Sequence, residues 1–185
     1  MTVGASTDQA LVAAAQRGDA TAFDELVRRH TATMYRIAHR ILSDSAEAED
    51  AVQEAWVSAW RGLARFRGDS APTTWLYRVV TNSALAQVRR RKPTVPLEPT
   101  AEVLSGRDAV DPEGHAVRSE EAALVHRAIN ALEPSQRVPL VLRELEGLSY
   151  EEIAEVLEVP VPALRSRLHR ARTTLLARLR EMRDG

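Results

Sequence analysis

Residues 148–172 read LSYEEIAEVLEVPVPALRSRLHRAR, and this stretch predicts two helices joined by a short turn. Ser149 is followed three residues later by Glu152, the spacing of a capping box, in which each side chain satisfies a free backbone N–H at a helix start. The first helix is therefore expected to begin at Tyr150. Its apolar side is supplied by Ile153, Ala154 and Leu157.

Two prolines separate this helix from the next one. Pro160 and Pro162 prevent its continuation and preset φ for a second helical start, which we place near Ala163. From there apolar residues recur at steps of three or four and predict one buried stripe: Leu164, Leu168, Ala171, Leu175, Leu179 and Met182. A different face carries Arg165, Ser166, His169 and Arg170, and such a face is typical of a helix that enters the DNA major groove.

The composition bounds the remaining possibilities. The chain has 185 residues, of which 44% are hydrophobic, enough for one core or two small ones. It contains no cysteine, which excludes a disulfide framework, a thiol nucleophile and a thiolate zinc site. No apolar run reaches the length of a membrane helix, and the first ten residues lack a signal sequence. We therefore expect a cytoplasmic protein without membrane insertion.

Charge is unevenly distributed although the formal net charge is −1. Residues 165–183 hold seven arginines against Glu181, whereas residues 120–158 hold nine glutamates against three arginines. An arginine-rich helix face is more often a solvated surface than a DNA reader. Here the capped helix and turn before it favour DNA binding.

The rest of the chain has helical periodicity and no run of strict alternation, so the expected fold class is all-α. The pattern predicts helices over 8–17, 20–42, 46–64, 72–91, 119–132 and 134–146. Asp44 and Ser45 are candidate caps for the third helix, and Gly147 is a candidate C-terminal cap.

Residues 94–117 interrupt this periodicity with proline and glycine and with five acidic residues against Arg107 alone. This composition predicts a flexible acidic linker. The expected organisation is one helical domain over 1–93 and a second over 118–185, which contains the helix-turn-helix.

Three motifs occur together in this order: AEDAVQEAWVSAW at 48–60, FRGDSAPTTWLYRVVTNSALAQVRRR at 66–91, and the segment from ALEPSQ to LHRAR at 131–172. Together they make the chain resemble an extracytoplasmic-function (ECF) sigma factor, the smallest class of RNA polymerase specificity subunit. The resemblance implies that the first domain recognises the −10 promoter element and the second the −35 element. It also implies that the linker occupies the RNA path of the polymerase.

An acidic surface at 44–54 has three interpretations besides solubility. Helix capping accounts for acidic side chains at a helix start, and carboxylates at 47, 50 and 54 suggest a metal site, which the absence of a nearby histidine disfavours. The resemblance instead implies that this surface docks on the β′ clamp helices of the polymerase. The residues matching that motif are Asp50, Gln53 and Glu54.

The family captures a flipped −10 base with a loop and a following asparagine. The matching residues, with the cationic helix end that follows, are Arg67, Gly68, Asp69, Ser70, Asn82, Arg89 and Arg90. Asparagine donates and accepts at a base edge, although a lone helical asparagine is usually a surface residue. Trp60, Phe66 and Tyr77 are candidates for base stacking, with structural packing as the alternative.

For the −35 element the resemblance assigns base contacts to Arg165, Ser166, His169 and Arg170. Arg143, Arg167 and Arg172 are better placed to contact DNA phosphates. Such contacts fix the register of the protein on the duplex but do not read the base sequence. The chain departs from the family at Pro162-Ala163, where Gly-Thr is usual, and at Glu158, where a turn glycine is common. A left-handed conformation at Glu158 costs roughly 1–2 kcal/mol.

The implied partners are core RNA polymerase, through its β′ clamp helices and β subunit, duplex −35 DNA, single-stranded −10 DNA and an anti-sigma factor. No nucleophile motif, phosphate loop or metal-ligand spacing is present, so neither catalysis nor a cofactor is expected. Two alternatives remain. One is a helix-turn-helix regulator that acts without core polymerase, and the other is a helical adaptor that binds only protein.

Overall fold

All regular structure is helical within residues 7–91 and 112–184, the parts of the chain that the computed structural model describes, with the backbone alone described for 112–119. The predicted all-α class is confirmed. The helices are α1 (Asp8–Gln16), α2 (Ala20–Leu42), α3 (Ser45–Gly62), α4 (Pro72–Arg90), α5 (Pro112–Asn130), α6 (Pro134–Leu140), α7 (Tyr150–Leu157) and α8 (Val161–Asp184).

Side-chain caps fix where the helices of the first domain begin. The Asp19 carboxylate accepts hydrogen bonds from the backbone N–H groups of Thr21 and Ala22 at the start of α2. Asp44 accepts one from Glu47 N over 2.8 Å at the start of α3, as predicted. Pro72 begins α4, since its missing N–H is not needed at that position. After α3 the chain makes one 3₁₀ turn, Leu63–Arg65.

The core of the first domain lies between α2, α3 and α4, with α1 packed on α2. Small residues of α3 allow close approach of the helices, and they alternate with larger side chains from α2 and α4. The most deeply buried side chains include Leu26, Met34, Ile37, Ile41, Ala48, Ala55, Leu76 and Val80. This packing buries one face of α4 and leaves the other accessible.

Two boundaries of the second domain differ most from the prediction. α5 begins at Pro112, so residues 112–117 are helical although the sequence assigned them to the linker. The predicted helix 134–146 ends at Leu140 and continues as a π-helical turn, Val141–Leu145. Pro139, inside α6, cannot donate to the helical ladder, and the wider turn follows it directly. Residues 94–111 of the predicted linker lie outside the described residues.

The helix-turn-helix forms as expected, with α8 beginning at Val161, two residues before the predicted start near Ala163. Both halves of the capping box between Ser149 and Glu152 are present, at 3.1 and 2.7 Å. Gly147 has φ +71° and Glu158 has φ +53°, so both turns use a left-handed residue. The α8 stripe is buried at Leu164, Leu168 and Ala171, becomes half-buried further on, and is exposed at Met182.

The two domains are in contact. α7 packs against α4, and α6 with the turn that follows it packs against α2. None of the helices within 7–91 and 112–184 is long and apolar enough to cross a membrane.

Candidate nucleic-acid interface

The N-terminal half of α8 presents the predicted −35 reading face to solvent. Arg165, Ser166, His169 and Arg170 are all exposed, whereas Leu164 on the opposite side is fully buried. The Ser166 hydroxyl donates to the carbonyl of Pro162 over 3.2 Å, one turn back. The structure therefore brings the four candidate base-contacting side chains together on one accessible surface.

Tyr150, at the start of α7, links this face to the preceding turn. The guanidinium carbon of Arg143 lies 4.9 Å from the centre of its ring, and that of Arg165 lies 5.7 Å away. Arg143 also donates to the carbonyl of Leu148 over 2.7 Å. Cation–π contacts of this kind restrain the orientation of the Arg165 side chain.

The remaining arginines assigned to phosphates differ in their surroundings. Arg167 is half-buried. Arg172 donates to Glu144 over 2.6 and 3.0 Å, and this hydrogen bond raises the pKa of its guanidinium. Because Arg172 is already paired, a phosphate contact there requires exchange of Glu144 for the phosphate.

A cavity of about 330 Å³ lies beside the predicted −10 loop of the first domain. Gly68 turns the loop with φ +78°, a conformation that side-chain-bearing residues rarely adopt. Three arginines, two aromatic rings and loop residues line the cavity, together with one residue of the second domain: Gly62, Arg65, Phe66, Arg67, Asp69, Ser70, Trp75, Arg78 and Glu155. The combination of aromatic faces and cationic groups suits an unpaired nucleotide.

The aromatic residues divide between this cavity and the core. Phe66 and Trp75 lie 4.8 Å apart between ring centres at the cavity wall. Trp60 is 51% exposed and contacts Phe23 edge-on at 4.9 Å. Trp56 is half-buried and donates to the Thr31 hydroxyl over 3.0 Å, which is a structural role. Only Phe66 among the predicted stacking residues lines the cavity.

Asn82 lies on α4 one turn beyond Arg78, and its side chain is exposed. Arg89, at the end of the same helix, is exposed as well. Arg90 donates to Glu54 of α3 over 2.7 Å, which raises the pKa of the guanidinium. A residue assigned to phosphate and a residue assigned to polymerase docking therefore pair with each other.

The acidic surface of α3 is otherwise open. Asp50 and Gln53 are exposed beside Glu54. Glu47, a member of the alternative metal set, instead accepts a hydrogen bond from Arg91 Nε over 2.9 Å. No cluster of His, Asp or Glu within the described ranges is arranged to hold a metal ion.

Sequence reasoning missed three charged residues of the cavity wall. Arg78 precedes Asn82 by four residues, so helical spacing was a signal for it. Arg65 lies just before the loop. Glu155 comes from the second domain, and no local pattern connects it with the loop.

Two families match the two halves of the chain. Residues 26–94 match Sigma-70 region 2, and residues 122–175 match Sigma-70 region 4. The chain is 43% identical, over 91% of its length, to the RNA polymerase sigma-H factor of Pseudomonas aeruginosa, and the match covers 91% of that protein. It is 40% identical over 91% of its length to the ECF RNA polymerase sigma-E factor of Escherichia coli, covering 92% of it.

Solved structures agree with the fold. The structure of CnrH in complex with the cytosolic domain of CnrY matches with a TM-score of 0.70 and 29% identity, covering 94% of this chain and 97% of that one. The sigma factor RpoE of Bartonella quintana, crystallised with the anti-sigma factor NepR, has a TM-score of 0.62 at 22% identity, covering 85% of this chain and 96% of that one.

Proposed function

Because the chain belongs to the ECF sigma factors of RNA polymerase, we propose that it grips a promoter at two points, with α4 and its adjacent cavity at the −10 element and α8 at the −35 element. The observation that carries this mechanism is the presence in one chain of a cavity of about 330 Å³ lined by three arginines and of an exposed arginine face on a helix-turn-helix. The protein itself catalyses no step and acts in the cytoplasm, where the polymerase is.

At the −35 element, Arg165, Ser166, His169 and Arg170 reach base edges in the major groove. An arginine pairs with guanine through two hydrogen bonds, which supplies discrimination. Arg143, Arg167 and Arg172 hold the phosphates that set the register of α8 on the duplex.

At the −10 element, the cavity beside residues 67–70 receives one unpaired base. Asn82 contacts that base or its neighbour, because an amide both donates and accepts at a base edge. Arg89 and Arg90 hold the phosphates beside it. Capture of an extruded base favours the open promoter, since the strand cannot re-pair while the base is held.

The docking surface for the polymerase is Asp50, Gln53 and Glu54 on α3. Its charge complements a basic surface, which we assign to the β′ clamp helices, and the second domain meets the β subunit. The acidic segment that precedes α5 takes the RNA path before the transcript grows. An anti-sigma factor controls the protein, and the Bartonella quintana sigma factor of the same fold, which was crystallised with one, provides the precedent.

Co-migration with core polymerase separates this function from that of a helix-turn-helix regulator that works alone. The intact protein should co-elute with core polymerase in gel filtration, and Asp50→Arg should weaken that association. Asp24→Arg on α2, which is exposed away from the docking surface, is the matched control. Free duplex binding without any core association would favour the lone regulator instead.

A further inference from the structure

A glutamine at the end of α1 reaches the segment that leads into the −10 loop. Gln16 Nε2 donates to the carbonyl of Leu63 over 2.9 Å and to the carbonyl of Phe66 over 2.7 Å. Leu63 begins the 3₁₀ turn after α3, and Phe66 directly follows that turn. A primary amide carries two N–H donors, so one side chain can hold both carbonyls at once.

The rest of α1 fixes the position from which Gln16 acts. Asp8, in the first turn of α1, lies 2.7 Å from Nε2 of His30 and accepts a hydrogen bond from Arg29 over 3.1 Å, both on α2. Apolar side chains on the same side of α1 are buried: Leu11, Val12 and Ala15. The helix is therefore attached to α2 at its first turn and along its length, and its last residue lies beside the 3₁₀ turn.

The backbone that Gln16 holds belongs to the wall of the −10 cavity. Phe66 lines the cavity, as do its neighbours Arg65 and Arg67. The Phe66 ring lies 4.8 Å from the ring of Trp75 between centres. Because a peptide group is planar, holding the Phe66 carbonyl also fixes the orientation of the peptide group that joins Phe66 to Arg67. The direction in which these two side chains leave the backbone therefore depends on α1.

Gln16 itself lies outside the cavity. It is not one of the described residues that line the cavity wall, and it is exposed at the end of its helix. It also precedes residues 26–94, the part of the chain that matches Sigma-70 region 2. A contribution of Gln16 to base recognition therefore passes through the backbone of the turn and loop, without contact between its side chain and the base.

We propose that Gln16 is a positioning residue for −10 recognition: its amide holds the backbone at Leu63 and Phe66, so that the cavity wall keeps one shape before the unpaired base enters. This inference rests on the proposed function of that cavity. A loop that is already ordered loses less conformational entropy when it binds. A wall of fixed shape also discriminates more sharply between bases that fit it and bases that do not.

Four variants separate the hydrogen bonds of Gln16 from its other properties. Gln16→Met keeps an unbranched side chain with high helix propensity and removes both N–H groups. Gln16→Glu is closer still in shape, but it presents only acceptors to the two carbonyls. Gln16→Lys restores N–H donors at a similar reach. Gln9→Met, at an exposed position of the same helix, is the matched control.

Hydrogen exchange in the free protein measures the order of the loop without any promoter. The backbone amides of residues 64–71 should exchange about three- to tenfold faster in Gln16→Met and in Gln16→Glu, because the segment opens more often once its hydrogen bonds to Gln16 are lost. Gln16→Lys and Gln9→Met should keep the parental rates. Thermal unfolding of each variant verifies that the first domain remains folded.

Transcription by core polymerase that carries each variant measures recognition. On a template library randomised at both promoter elements, Gln16→Met and Gln16→Glu should reduce the enrichment of the preferred downstream bases by about three- to tenfold and leave the upstream motif unchanged. Gln16→Lys should recover most of the downstream preference, which its charge alone cannot supply because phosphate contacts do not read sequence. A residue that only stabilised the fold would instead lower transcription from all templates together.

Parental exchange rates in both folded donor-free variants would overturn the positioning role. Faster exchange with an unchanged downstream preference would overturn it as well, since recognition would then not need an ordered loop. If neither the parent nor any variant supports transcription while the loop still exchanges faster in the donor-free variants, the proposed function fails, and Gln16 is left with a structural role alone.

Discussion

Glu158 occupies the turn between α7 and α8 at φ +53°, a conformation that favours glycine. Strain at a non-glycine residue persists where the surroundings determine the backbone, and it clusters at functional sites. The sequence identified this position from its departure from the family pattern. It did not identify the partner of the carboxylate, Arg78, because that residue belongs to the other domain.

Glu158→Gly is expected to stabilise the protein by about 1 kcal/mol, because glycine adopts a left-handed conformation without the penalty of a Cβ. Glu158→Ala separates backbone strain from charge, since alanine keeps the Cβ and loses the carboxylate. Chemical denaturation measures both variants. An equal gain in stability from alanine would show that charge, not backbone conformation, sets the cost.

Arg165→Ala should weaken promoter binding and relax the −35 preference by about 1–3 kcal/mol, because the proposed base-edge contact would be lost. Competition binding of core-bound protein to specific and scrambled −35 sequences measures the effect. Arg178→Ala removes an exposed arginine of the same helix that pairs with Glu181, and it should leave the preference intact. Equal losses on both DNAs from Arg165→Ala would contradict base reading.

Asn82→Ala should impair promoter opening more than initial duplex binding, because we propose that its amide contacts an unpaired base. Permanganate reactivity of the melted region, compared with gel-shift affinity for the duplex, measures the two steps. Gln87→Ala on the same helix serves as the control. Undiminished reactivity in Asn82→Ala would remove this residue from the opening step.

Among the elements, the helix-turn-helix follows most directly from local sequence. The capping box, the glycine turn at 147 and the prolines at 160 and 162 each act on their own neighbours, and α7 begins where they predict. The helix 134–146 was less predictable. Its wider turn follows Pro139, and the next residue, Glu146, contacts Arg36 of α2, a contact that local periodicity does not contain.

Ser149→Ala should cost about 1 kcal/mol of stability, since the N–H of Glu152 loses its partner at the start of α7. Ser58→Ala, at an exposed position inside α3, changes the same chemical group without touching a cap. Thermal unfolding monitored by circular dichroism compares the two. A cap contribution no larger than that of Ser58 would show that tertiary packing alone fixes this helix start.

At the scale of the whole molecule, the relation between the domains could not be read from sequence. The two compositions and the intervening prolines indicated separate units, and that division stays a prediction, although α5 already begins at Pro112. The contacts of Glu146 with Arg36 and Arg40 span more than a hundred residues and involve common surface residue types. Nothing in their local patterns distinguishes them from solvated charges.

Acidification should weaken the domain contact through His126. Burial, with the nearby charges of Arg40 and His39, lowers the pKa of His126 below its usual 6.5. Above pH 6.5 His126 is mostly neutral whether or not the domains are in contact, so it makes the stability of the contact little dependent on pH there. As the pH falls below 6.5, the protein with separated domains binds the proton more readily than the protein with its domains in contact. The domain contact therefore loses stability until the pH has passed the lowered pKa of His126.

In a protein with spin labels attached at Gln9→Cys on α1 and Ala177→Cys on α8, the distance between the labels should therefore lengthen as the pH falls from 7.5 to 5.5. His126→Gln should remove the part of the response that this histidine supplies. The same pH response in the variant and the parent would assign the effect to other groups.

Run-off transcription with purified core polymerase, on a template library randomised at both promoter elements, tests the two-point promoter grip most directly. We predict transcripts that depend on the protein and are enriched for two short motifs at a fixed spacing, with Arg165→Ala relaxing only the upstream motif. Absence of protein-dependent transcription from every template would contradict the two-point grip.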